Sequence, residues 1–151
     1  MKKITLAVGL RIPDNTAFSA LTTLRRLGHD ELIDLRRMDY YEFEVDEEDT
    51  EDTFASRIVK TDIIVNANKH HAHLAPVFRE GVTFIVFDRE QEGGLLHTLR
   101  DRLGFGQLTS VRKGTLWQFF AQGDAEPIGM AEKAILELLY TPHYQEYVRL
   151  V

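Results

Sequence analysis

The sequence predicts an α+β chain made of two tandem copies of one unit, each of order β-α-β-β-α-β. Two observations carry this. First, a stretch of the first half, residues 24–45, returns in the second half as residues 99–121. At a shift of 76, Arg26, Leu27, Gly28, Leu32, Arg36 and Phe43 meet Arg102, Leu103, Gly104, Leu108, Arg112 and Phe119. Leu35 meets Val111, Arg37 meets Lys113 and Tyr41 meets Trp117. A period near half the chain length marks an internal repeat. Second, both copies read alike: the end of an amphipathic helix, a glycine stop, a strand, a tight basic turn and a second strand.

The elements of the first copy follow in order. Residues 4–10 are β-rich and mostly apolar, the pattern of a strand covered on both faces. Arg11, Ile12, Pro13, Asp14 and Asn15 break it, and Asp14 or Asn15 caps the next helix. Ala17, Ala20, Leu21, Leu24 and Leu27 then share one helix face. Gly28 stands where a left-handed residue ends a helix. Residues 32–36 form a short strand, and Arg37, Met38 and Asp39 a hairpin turn. Tyr41, Phe43 and Val45 alternate with Tyr40, Glu42 and Glu44, as in a half-buried strand. Six of the seven residues 46–52 are acidic. They lack the glycine and the spacing of a calcium loop. They read as a helix start, with Asp49 or Thr50 as the cap and Glu51 and Asp52 facing the positive helix end. Phe54, Ile58 and Thr61 form the inner face of that helix. Residues 62–67 form a strand through Ile63, Ile64 and Val65. This order is the ferredoxin-like arrangement.

Residues 68–81 join the copies, punctuated by Pro76 and Gly81. Residues 82–87 are an apolar strand. Leu95, Leu96, Leu99 and Leu103 line a helix that starts after Gly93 and Gly94 and ends at Gly104. Residues 108–112 and 116–121 form the second hairpin, turning at Lys113 and Gly114. Met130, Ala131, Ala134, Ile135, Leu138 and Leu139 mark the last helix, which Thr141 and Pro142 stop, and residues 144–151 the last strand. Two units at 1–75 and 80–151, packed as a pseudo-dimer, are expected.

Composition narrows the function. The 151 residues are 44% hydrophobic and 28% charged, ordinary globular values. The net charge is −6, from 18 basic and 24 acidic residues, which disfavours a nucleic-acid partner. Cysteine is absent, which excludes disulfides, thiolate nucleophiles and cysteine-bound metals. No run of about 18 apolar residues exists, so no membrane partner is expected, and the chain reads as cytoplasmic. Ser19, Ser56 and Ser110 lie in no nucleophile-elbow sequence. The glycines at 93–94 and 104–106 lack the Lys-Ser/Thr pair of a phosphate loop.

His70, His71 and His73 match neither helical nor finger zinc spacing, and a polar loop accounts for them. In a strand, His71 and His73 would share a face and make a weak two-point site. No metal, cofactor or catalytic residue is assigned. The basic pairs Arg36–Arg37 and Arg112–Lys113 recur at equivalent turns, which makes them candidates for docking an acidic partner surface. Tyr41, Phe43, Trp117 and Phe119 take the inward phase of their strands. Tyr40, Leu116 and Phe120 take the outward phase, which calls for another sheet over the second face.

The residues at 108–114, at 131–142 and at 146–148 (Glu146, Tyr147, Val148) carry a family resemblance. The first resembles the hairpin, and the others the last helix and strand, of the small subunit of phosphoribosylformylglycinamidine synthase, the PurS family. The first copy matches through residues 28–43. The resemblance implies a non-catalytic subunit that bridges glutaminase and synthetase partners in purine biosynthesis and assists ammonia transfer. It also implies a homo-oligomer. A family member is a single unit acting as a dimer, so here one chain stands for that dimer. The rival of another class is a tandem ACT-like regulatory protein that binds a small molecule.

Overall fold

The structure is a computed structural model that describes residues 2–46, 51–76, 78, 80–90, 93–122 and 127–150. It is α+β, as the sequence predicts. Strand β1 (Lys2–Leu10) leads to helix α1 (Asn15–Arg26), then strand β2 (Leu32–Val45), helix α2 (Glu51–Ile58) and strand β3 (His70–Leu74). The second half repeats the order with β4 (Val82–Asp88), α3 (Gly93–His97), β5 (Leu108–Ala121), α4 (Pro127–Ala134) and β6 (Gln145–Arg149). Helices α3 and α4 each continue into a π-helical turn, Thr98–Arg102 and Ile135–Leu139. The strands form one antiparallel sheet of six in the order β3-β1-β2-β5-β4-β6.

The largest departure from the sequence reading is at the hairpins. β2 and β5 are continuous strands of 14 residues, and neither turns at its basic pair. They run side by side over their whole length, from Leu32 opposite Ala121 to Val45 opposite Leu108. The reason lies in the turn chemistry. Residues 37–39 hold no glycine or asparagine to supply the positive φ of a two-residue hairpin. Gly114 could supply it, but a different need holds it. A Cβ there would come within 2.7 Å of the Val86 carbonyl oxygen and 2.9 Å of the Phe87 ring. The glycine serves close approach of β4 inside a flat stretch of strand.

The outer strands pair with only the last part of each long strand. β1 pairs with residues 39–45 of β2, and β4 with residues 114–119 of β5. The first part of β2 therefore lies beyond the end of β1, against the last part of β5. The cores follow this exchange. One gathers Ile4, Leu6 and Phe43 with Phe54 and Ile58 of α2, but also Leu99, Phe105 and Val111 of the second half. The other gathers Phe84, Trp117, Phe119 and Ile135, but also Ala17, Leu24 and Leu35 of the first half. Neither half closes a core with its own residues.

Both cores lie on one face, because Leu35, Tyr41 and Phe43 share the odd-numbered side of β2. Tyr41, Phe43, Trp117 and Phe119 are all buried, in the inward phase read from the sequence. The other face carries a third cluster of Ala7, Tyr40, Ile85, Phe87 and Leu116. Among the described residues no second sheet covers it. Phe78, in the crossover from β3 to β4, and Leu150 pack there instead. Gln118 Nε2 donates to the Glu80 carbonyl at 2.9 Å and ties that crossover down. Phe120 is only half-buried.

Helix ends are largely as expected. Asp14 caps α1 by accepting from the Thr16 and Ala17 amides at 2.9 and 3.1 Å. Gly28 and Gly104 both take positive φ, +106° and +79°, just past their helices. Three leucines assigned to inner faces, Leu27, Leu103 and Leu138, are exposed instead. The first two sit where a helix has already ended. The caps expected at Asp49 and Thr50 lie outside the described residues. The strand expected over 62–67 is also absent: Ile64 and Val65 bond back to Thr61 in turns. The strand there is β3, which begins where the histidines begin.

Candidate functional site

The four candidate docking residues do not sit on protruding turns. All four lie in the interior of β2 and β5, and all four make contacts with their own chain. Arg37 donates from Nε to Asp14 Oδ2 at 2.9 Å and from Nη2 to Asp14 Oδ1 at 3.3 Å. Arg112 pairs with Glu146 and lays its guanidinium 4.0 Å from the Phe87 ring centre. Lys113 holds Nζ 5.5 Å from the Tyr41 ring centre. Arg36 is the exposed member, with 61% of its side chain accessible. It reaches Asp34 at 3.3 Å and covers Phe120 at 4.8 Å. Strand alternation splits each pair. Arg36 and Arg112 cap aromatic rings on the helix-free face, while Arg37 and Lys113 face the helices.

Arg37 borders a cleft of about 290 Å³ at the end of β1. Gly9, Leu10 and Ile12 form its floor, Asp14, Ala17 and Phe18 its helical wall, and residues 34–38 of β2 its far side. The cleft exists because β2 extends past the end of β1, leaving this part of its edge unpaired with β1. Its electrostatics are internally balanced. Burial alone would raise the Asp14 carboxyl, but the Arg37 guanidinium and the Ala17 and Thr16 amides outweigh it and hold the pKa below its ordinary value.

His71 completes the rim. Its ring lies across Gly9, so closely that a Cβ there would stand 2.5 Å from Cε1 and 2.6 Å from Nε2. Its Nδ1 is 2.7 Å from His73 Nε2. Burial, then the neighbouring His73, lowers the His71 pKa, with Arg11 and His70 adding to the effect and a Leu10 backbone bond opposing it. His70 turns the other way, its Nδ1 accepting from the Asn66 amide at 3.0 Å. The histidines thus occupy a strand rather than a polar loop, and the face-sharing of His71 and His73 is the arrangement a strand requires. Among the described residues, no three His, Cys, Asp or Glu side chains stand together as a metal cage.

The sequence reading identified Asp14 as a cap but missed its role as the partner of Arg37. The two residues are 23 positions apart, and only the unpaired edge of β2 brings them together. No helix of the described residues is long and apolar enough to cross a membrane. No known family model matches the chain, and no curated protein matches it either.

Proposed function

We propose that this chain is a non-catalytic subunit that bridges the glutaminase and synthetase components of phosphoribosylformylglycinamidine synthase and assists ammonia transfer. The observation that carries the reading is the doubled architecture. Each long strand does the work of two, so residues 39–45 with β1, β3 and the start of β5 make one four-stranded group. Residues 114–121 with β4, β6 and the start of β2 make the other. We read each group as a ferredoxin-like unit in which the hairpin has opened and its first strand is contributed by the other half, a swap within one chain. One chain would then stand for a dimer of single units and offer two related surfaces to two partners. The resemblance at 131–142 and 146–148 supports this reading, whereas residues 108–114, likened to a hairpin, run straight through β5, and the internally paired charges of the cleft fit a subunit with no turnover of its own.

The docking role narrows to Arg36, whose side chain is 61% accessible against 28% for Arg37 and 32% for Arg112. The test is reconstitution with a glutaminase and a synthetase of this pathway. Added chain should raise glutamine-dependent amidine formation and leave the ammonia-dependent reaction unchanged. Arg36→Glu should slow assembly in a salt-dependent way. Absence of capture and of any effect on the glutamine-dependent rate would reject the reading.

The cleft at Gly9 and Asp14 favours one second reading, the tandem ACT-like regulatory protein binding a small molecule. Calorimetric binding of a free amino acid, abolished by Arg37→Met and with no partner captured, would replace the first reading with this one.

A further inference from the structure

We infer that His71 and His73 form a two-histidine site for a tetragonal divalent transition ion, Cu²⁺ or Ni²⁺, on the outer strand of the sheet. The inference is independent of the function proposed above. Among the described residues β3 is an edge strand paired only with β1, and His71 is half-buried and His73 exposed, so both rings are reachable. Residues two apart on a strand point the same way, and here Nδ1 of His71 and Nε2 of His73 are 2.7 Å apart, a hydrogen bond whose proton the ion would replace.

That separation selects the geometry. Two bonds of about 2.0 Å meeting at a right angle place their nitrogens about 2.8 Å apart, whereas a tetrahedral angle demands about 3.3 Å. The pair needs to open by about 0.1 Å for a tetragonal ion and by about 0.6 Å for a tetrahedral one. Tetragonal coordination by imidazole is the preference of Cu²⁺ and Ni²⁺.

The ligands are positioned for this. The Nε2 edge of His71 lies against Gly9, and the Leu10 backbone hydrogen-bonds the ring. A contact on the far side of the imidazole fixes its orientation and turns Nδ1 outward, as partners of metal-binding histidines do. Gly9 makes that placement sterically feasible. His73 is exposed and already bonded to His71, so a small turn of its ring brings its lone pair toward that of His71 while water fills the remaining positions. Arg11 is the opposing charge nearby, and its Nε is engaged by the Ala67 carbonyl at 3.0 Å. With no third protein ligand in reach among the described residues, affinity depends on both rings acting together.

The experiment is titration of the full chain with Cu²⁺, followed by electron paramagnetic resonance, and with Ni²⁺, followed by calorimetry. One equivalent should bind, with a tetragonal Cu²⁺ spectrum showing two imidazole nitrogens. His71→Gln and His73→Gln should each weaken binding about tenfold or more and leave a single imidazole in the spectrum. His70→Gln, whose ring faces Asn66, should bind like the wild type. Binding that survives both His71→Gln and His73→Gln, loss of binding in His70→Gln, or no binding of either ion by the wild type would each overturn the inference.

Discussion

At the scale of single residues, Gly114 and Asp14 show how one position can hold a long-range contact. Gly114 opposes Tyr40 in the centre of the sheet and lies beneath the edge-on contact of Tyr40 and Phe87, whose rings are 5.8 Å apart. A methyl group there has to displace either the Val86 backbone or the Phe87 ring. Gly114→Ala should therefore cost about 1–3 kcal/mol in urea melts, although alanine normally stabilises a strand relative to glycine. Equal or greater stability would show that the close approach is not limiting. Asp14 binds both the α1 amides and Arg37. Its folded pKa is depressed, so its contribution is present above the unfolded carboxylate value of about 3.9 and is lost as pH falls through the folded value. Asparagine keeps the cap but not the charge. Asp14→Asn should be less stable than the wild type at pH 7, and the gap should close on acidification below about pH 4, as read by denaturant midpoints.

At the scale of elements, the long strands β2 and β5 organise everything else. Each aligns both cores, because beyond the register shift near its start its odd residues face helices at both ends and its even residues face the other side. Trp117 sits in β5 opposite Arg37, among Ala17, Leu35 and Phe84 of three other elements. Trp117→Ala should cost about 3–5 kcal/mol in chemical denaturation. A loss below about 1 kcal/mol would mean the surroundings collapse to fill the space. On the other face, Arg36 and Arg112 lie over Phe120 and Phe87, covering apolar rings with the planar face of a guanidinium. This explains why a basic residue recurs at both places without any need for a turn.

At the scale of the molecule, the exchange of strands and helices makes the two halves interdependent. Residues 1–76 alone would leave β2 without β5 along its whole length and α1 without Trp117, Phe119 and Ile135. That fragment should be unfolded or should associate with a second copy through β2. Co-expression with residues 80–151 should restore a compact one-to-one complex whose thermal transition rises with concentration. Size-exclusion chromatography and circular dichroism read both outcomes, and a folded monomer of residues 1–76 would disprove the interdependence.

The local features came from the sequence by itself. The repeat, the α+β class, the Asp14 cap, the glycines that end α1 and the α3 segment, and the inward phase of Tyr41, Phe43, Trp117 and Phe119 all depend on residues a few positions apart, or on self-similarity. The tertiary structure decided how the pieces are shared. Arg37, Met38 and Asp39 satisfy the alternation of a strand as readily as a weak turn, so local pattern cannot separate a closed hairpin from an open one. Pairing with β5 over 14 residues decides it, and that choice then moves α1 across to the second core, opens the cleft beside Gly9 and pairs Asp14 with Arg37. The histidines show the same limit. Residues 62–67 are the more β-prone run, yet residues 70–74 become the strand, because they are the ones β1 holds by its free edge.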